Sequence, residues 1–81
     1  MKYWVYVLRS EKTGYRYIGQ TNNLPKRLME HRKGLTRSIR FQLPFALTYF
    51  ECYKSRCEAM KRERFLKSGK GREWLQKTVG V

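Results

Sequence analysis

The stretch from Tyr3 to His31, YWVYVLRSEKTGYRYIGQTNNLPKRLMEH, carries the architecture of this chain. Residues 3 to 9 are aromatic and β-branched, the composition of a strand. Trp4, Tyr6 and Leu8 fall on one face and Tyr3, Val5 and Val7 on the other. Both faces are apolar, which places the strand inside a sheet with structure packed above and below it. SEKTG supplies a turn in which Gly14 can take a positive φ. Residues 15 to 19, YRYIG, return as the second strand of a hairpin, with Tyr15 and Tyr17 opposite Arg16 and Ile18. Gly19 ends it, either permitting an unusual dihedral or letting a ligand approach the backbone closely. QTNN then leads into a helix over residues 24 to 33. Asn23 is its N-cap, and Pro25 is tolerated in the first turn because its missing N–H has no intrahelical partner. Leu24, Leu28 and His31 form the inward stripe with Met29 near its edge. Arg27 borders that stripe, four residues before His31. Gly34 is the C-cap.

Outward from this segment, residues 35 to 45 have no clean period and carry Arg37 and Arg40, which reads as a basic loop or a single helical turn. Residues 46 to 53, ALTYFECY, form a third strand in which Leu47, Tyr49 and Glu51 alternate against Thr48, Phe50 and Cys52. Ser55 and Glu58 make a capping box for a second helix. Its inner face holds Ala59, Glu63 and Leu66, with Met60 beside them. Lys67 to Gly71 form a basic break, after which REWLQKTV resumes a short helix with Trp74, Leu75 and Val79 inward. Eighty-one residues are expected to make one domain, residues 1–81.

Nineteen Lys and Arg against six Asp and Glu give a net charge of +13, which calls for a polyanionic partner. Nucleic acid fits best. No apolar run of ~20 residues offers a membrane span, and no long helix is apolar along one side. A strand begins almost at the N-terminus, so no signal peptide is expected, and two unpaired thiols suit the cytoplasmic location expected for the chain. Cys52 and Cys57 are expected as reduced, buried small hydrophobes; one histidine cannot complete a zinc set. Arg16, Lys26, Arg37, Arg40, Lys61, Arg62, Arg64, Lys70 and Arg72 are spread over several elements. That distribution suits a broad phosphate-tracking surface more than a base-reading helix. Binding should weaken steeply with salt.

A few residues could carry chemistry. Glu63 is either a surface acid paired with Lys67 at i,i+4 or the single carboxylate ligand of Mg²⁺ or Mn²⁺, with water and substrate phosphate completing the shell. Arg27 is either a solubility charge or a phosphate clamp whose planar fork is held beside the apolar stripe. Tyr6 and Tyr17 are either core aromatics or phenols brought together across the hairpin; a phenol serves as a base only where positive charge favours the phenolate. His31 is either a structural group or an acid–base candidate.

In this setting the sequence resembles the GIY-YIG nuclease superfamily, in particular its small single-domain members. Tyr6 in W-V-Y-V stands at the tyrosine of G-I-Y, with Trp4 at the glycine position, and Tyr17-Ile18-Gly19 matches the second half of the name. G-Q-T-N-N-L-P-K-R-L-M-E-H is similar to the family's helix, with its arginine at Arg27 and its polar aromatic position at His31. Glu63 in E-A-M-K-R-E-R-F-L-K resembles the metal-binding glutamate. The resemblance implies an α+β domain, a three-stranded antiparallel sheet flanked by helices, that hydrolyses DNA phosphodiester bonds with Mg²⁺ or Mn²⁺ at Glu63. Tyr17 would help generate the nucleophile, Arg27 would stabilise developing charge, Tyr6 would position water and substrate, and His31 would orient or relay a proton. Cutting that is structure-selective or dependent on a protein partner is the expectation. A non-catalytic basic nucleic-acid-binding module of the same fold is the competing one. RNA ranks below DNA, because the tyrosines are expected in the hairpin and core and not as stacking platforms.

Overall fold

The hairpin supplies the centre and one edge of a three-stranded antiparallel sheet. A computed structural model describes residues 1–80. Its strands are β1 (Tyr3–Ser10), β2 (Arg16–Thr21) and β3 (Phe45–Tyr53), in the order β2-β1-β3. β1 is central, which explains why both of its faces are apolar. The helices are α1 (Leu24–Arg32), α2 (Arg56–Lys67) and α3 (Gly69–Thr78), with a single 3₁₀ turn, Arg40–Gln42, in the connection to β3. Asn23 and Ser55 cap as their side-chain chemistry dictates, accepting from the N–H groups of Lys26 and Glu58.

Two cores sit on opposite sides of the sheet. Val5, Val7 and Ile18 pack against Ala59 and Leu66 of α2 and Leu75 of α3. Tyr6 and Leu8 pack with Leu24 of α1, and Trp4, Tyr17, Leu28 and Phe45 close around them. Period-2 alternation along β1 therefore sends its two residue sets to two different helical layers.

Four sequence expectations need correcting. Gly19 does not end β2, which runs on to Thr21 because Gln20 and Thr21 still pair with Val5 and Trp4 of β1. Leu47 does not share a face with Tyr49 and Glu51. The pairing runs Val7 with Tyr49 but Leu8 with Leu47, so Thr48 is an extra residue in a β-bulge, and its hydroxyl donates to the Val7 carbonyl at 3.1 Å. The bulge moves Leu47 to the α1 side, beside Leu8 and Leu28, and leaves Tyr49 on the α2 and α3 side. Cys52 and Cys57 are free, as expected, but exposed and not buried. Cys52 is paired with Trp4 on the outer strand of the α1 side, and Cys57 lies two residues before the inward Ala59. The basic break is confined to Ser68, and α3 begins at Gly69.

A second feature was not visible in the sequence. Glu51 on β3 accepts from Arg62 Nε at 2.9 Å and Arg62 Nη2 at 3.0 Å, and from the hydroxyls of Tyr49 and Tyr53. The Arg62 guanidinium also lies 4.6 Å from the centre of the Trp74 ring. One carboxylate thus ties β3 to both C-terminal helices. Burial by itself would raise the Glu51 carboxyl, but the bonds from Arg62, Tyr49 and Tyr53 outweigh it and hold it below its ordinary range. A depressed carboxylate contributes stability that is present above its unfolded value, ~4.3, and lost as pH falls through the folded one. Glu51→Gln is expected to cost about 2–3 kcal/mol near neutrality, because Arg62 loses its charged partner. Urea unfolding across a pH series should show that difference shrinking below about pH 4. A cost that did not change with pH would show that the carboxylate's charge contributes nothing.

Candidate functional site

Gly19 on β2 is the direct cross-strand partner of Tyr6 on β1. A Cβ there would stand 2.7 Å from the Tyr6 hydroxyl oxygen and 2.8 Å from its Cζ, with Tyr17 Cε2 at 3.1 Å. The glycine is therefore needed for close approach, and the approaching group is the chain's own phenol. Packed over the bare backbone, Tyr6 is fully buried. Its hydroxyl oxygen lies 2.8 Å from His31 Nε2. His31 Nδ1 in turn lies 2.8 Å from the Thr36 hydroxyl. The Tyr17 ring meets the imidazole edge-on at a centroid distance of 5.2 Å, and the Tyr6 ring at 6.2 Å.

Arg27 completes the cluster, one helical turn before His31. It donates to Glu30 at 3.0 Å and faces the phenols of Tyr6 and Tyr17. Burial would lower the guanidinium, but Glu30 and the two phenols outweigh it and the group is held charged. His31 is pushed down, by burial first and then by the Arg27 charge, so the imidazole is neutral at pH 7. Burial raises Tyr6 despite the neighbouring Arg27, so this phenol keeps its proton. A protonated phenol donating to Nε2 leaves Nδ1–H to donate to Thr36, and every member of the chain Tyr6–His31–Thr36 is then satisfied. Tyr6 is suited to positioning and not to proton abstraction. Tyr17, partly exposed, is the phenol that a ligand can reach.

Glu63 comes from the opposite layer. Its side chain is 20 % exposed, and its carboxylate is paired with Lys67 at 3.0 Å. Lys67 and Tyr17 nevertheless line one cleft of about 480 Å³ along β2, together with Tyr15, Arg16, Ile18 and Arg72. β2 is an outer strand, so groups from both sides of the sheet meet around its edge. No cluster of three His, Cys, Asp or Glu side chains exists among the described residues. The donor chemistry fits a hard cation taken by one carboxylate with water and phosphate, and it does not fit a zinc-type cage.

The basic residues divide by position. Arg16 and Arg72 line the first cleft, and Lys26 and Arg27 line a second, of about 290 Å³, with Thr21, Asn22, Asn23 and Glu30. Arg37, Arg40, Lys61, Arg64 and Lys70 are exposed elsewhere. Arg62 is held by Glu51. Thr36 and Glu30 were missed in the sequence. Glu30 stands at i,i+3 from Arg27, a spacing that could have flagged it; nothing local marks Thr36.

Residues 2–77 match the family model described as the GIY-YIG catalytic domain. A UPF0213 protein of Bacillus licheniformis is 41 % identical over 66 residues, covering 80 % of this chain and 67 % of that protein. One from Clostridium perfringens is 37 % identical over 65 residues, 79 % of this chain and 69 % of its own. The solution NMR structure of a UPF0213 protein from Bacillus halodurans superposes with a TM-score of 0.61 at 30 % identity, covering 99 % of this chain and 88 % of that one.

Proposed function

The chain belongs to the GIY-YIG catalytic-domain family, and from that premise we propose that it binds the nucleic-acid backbone along the β2 edge and hydrolyses a DNA phosphodiester there. The supporting observation is the convergence of Tyr6, Tyr17, Arg27 and His31 beside a cleft that Lys67, the partner of Glu63, also lines. Binding is the coarser part of the reading, and it follows from the +13 charge together with the basic clefts flanking Tyr17. No helix among the described residues is long and apolar enough to cross a membrane.

In the cleavage step Arg27, fixed by Glu30 and the phenols, stabilises charge developing on phosphate. Tyr17 orients the attacking water, and Tyr6, His31 and Thr36 hold Tyr17 and Arg27 in register from behind. Glu63 would hold Mg²⁺ or Mn²⁺, which when bound neutralises phosphate charge; Lys67 must then release the carboxylate.

Binding without turnover is the second reading, and two ion pairs favour it. The key charges at Glu63 and Arg27 are both engaged by neighbours, Lys67 and Glu30. Labelled single-stranded, duplex and flapped DNA incubated with Mg²⁺ or Mn²⁺ at low salt separates the two. The expected result is incision that stops with chelator and falls about 10²–10³-fold in Glu63→Gln and in Arg27→Ala, while Glu63→Gln keeps its DNA affinity. Tight, salt-sensitive binding with no incision by the wild type would assign the binding role alone.

A further inference from the structure

The cleft between β2 and the α2–α3 corner holds more than the cleavage chemistry uses. Tyr15 stands at its mouth, 46 % exposed, and takes part in none of the aromatic pairs of the fold. Arg16 and Arg72 line the same space. The ion pairs among the described residues engage Arg27, Arg62 and Lys67, leaving Arg9, Arg16 and Arg72 with no carboxylate partner. Arg72 and Arg9 lie close enough to Arg16 to disfavour its charge: Arg16 is pushed down by burial and then by Arg72 and Arg9. Uncompensated like charges beside a cavity are what an incoming anion would relieve.

An aromatic face and a paired-guanidinium wall around one cavity match one nucleotide, its base on the ring and its phosphate on the arginines. A base can lie on Tyr15 only when it is not stacked and paired within a continuous duplex. Tyr17, two residues along the same side of the strand, also lines the cleft, so the subsite adjoins the reacting position. Resting on the reading of the β2 edge as a nucleic-acid site, we infer that this cleft binds an unpaired nucleotide next to the target phosphate, making single-stranded or flapped DNA the preferred substrate class. Tyr15 stacks the base and Arg16 and Arg72 hold its phosphate.

Fluorescence anisotropy with the full chain carrying Glu63→Gln, to prevent cutting, tests this on a labelled oligothymidylate and on a blunt duplex of equal length. The single strand should bind at least about fivefold more tightly. Tyr15→Ala should weaken single-strand binding about tenfold, within the range of one lost base–aromatic stack. Tyr15→Trp should restore it, and duplex affinity should stay within twofold in both variants. Arg16→Ala and Arg72→Ala should each lower the salt slope by about one. Equal binding of both DNAs, or equal loss on both in Tyr15→Ala, would overturn the nucleotide subsite while leaving backbone binding intact. Absence of salt-sensitive binding to either DNA would instead remove the reading on which it rests. Circular dichroism of the exposed Tyr15 variants checks that the fold is unchanged.

Discussion

Gly71→Ala is expected to remove a large share of the stability of this domain. Gly71 lies in the first turn of α3, where that helix folds back on the end of α2. A methyl group there would fall inside the Phe65 carbonyl oxygen and stand 2.5 Å from Leu66 Cα. Both are backbone atoms of a neighbouring helix, so no rotamer change relieves the overlap. Relief requires α3 to lift from α2, which opens the core around Leu66, Leu75 and Val7. Overpacking against movable side chains costs about 1–3 kcal/mol; against fixed backbone we expect more than about 3. A chain of this length has only about 4–12 kcal/mol in total. Gly69 is the internal control. It sits two residues earlier, with nothing within 4 Å of its virtual Cβ, and Gly69→Ala should raise stability by about 0.4–1 kcal/mol. Urea unfolding of the two variants should move in opposite directions. A Gly71→Ala protein with wild-type stability would refute the close helix approach.

Gly19→Ala should strike the site and not the scaffold. The new methyl would press on the Tyr6 hydroxyl and Cζ and on Tyr17 Cε2, all side-chain atoms, so the cost should be about 1–3 kcal/mol. The yielding of Tyr6 carries the functional consequence. Its hydroxyl would leave His31, and the imidazole would lose the partner that fixes its orientation from the β1 side. Any phosphodiester cleavage should fall at least about 10²-fold, the penalty for misplacing reacting groups by about 1 Å. Tyr6→Phe removes the oxygen that the methyl would strike, so the Gly19→Ala/Tyr6→Phe double variant should be more stable than the sum of the singles predicts. The His31 ring resonances, followed by NMR, should shift in either single variant. Additive stabilities together with unmoved resonances would show that Gly19 does not hold Tyr6 in place.

Much of this was legible before any coordinates. Alternation in Tyr3–Arg9 assigned Trp4, Tyr6 and Leu8 to one layer and Val5 and Val7 to another, because strand periodicity is set by the covalent backbone. Asn23, Pro25 and Ser55 marked helix starts through chemistry confined to a single turn. The ordered Tyr6, Tyr17, Gly19, Arg27, His31 and Glu63 pointed to the family, and the structure draws four of those side chains into one cluster around Gly19. Less local matters were hidden. The bulge at Thr48 shifted one strand's register by a single residue, which inverted Leu47 relative to Tyr49, and no property of ALTYFECY announces it. Cys52 looked like core but lies where no helix covers the outer strand.

Element types, the two faces of the central strand, the helix caps and the positive charge were readable from the residues alone, since each depends on neighbours within a few residues or on composition. It took the folded chain to reveal that Glu51 and not Glu63 is the carboxylate locked by two phenols and a guanidinium, that Thr36 completes the His31 chain, and that Tyr15, Arg16 and Arg72 line one cleft. These are contacts between residues far apart in the chain or on different elements, and they arise from how the helices lie on a sheet whose outer strand brings both faces to one edge.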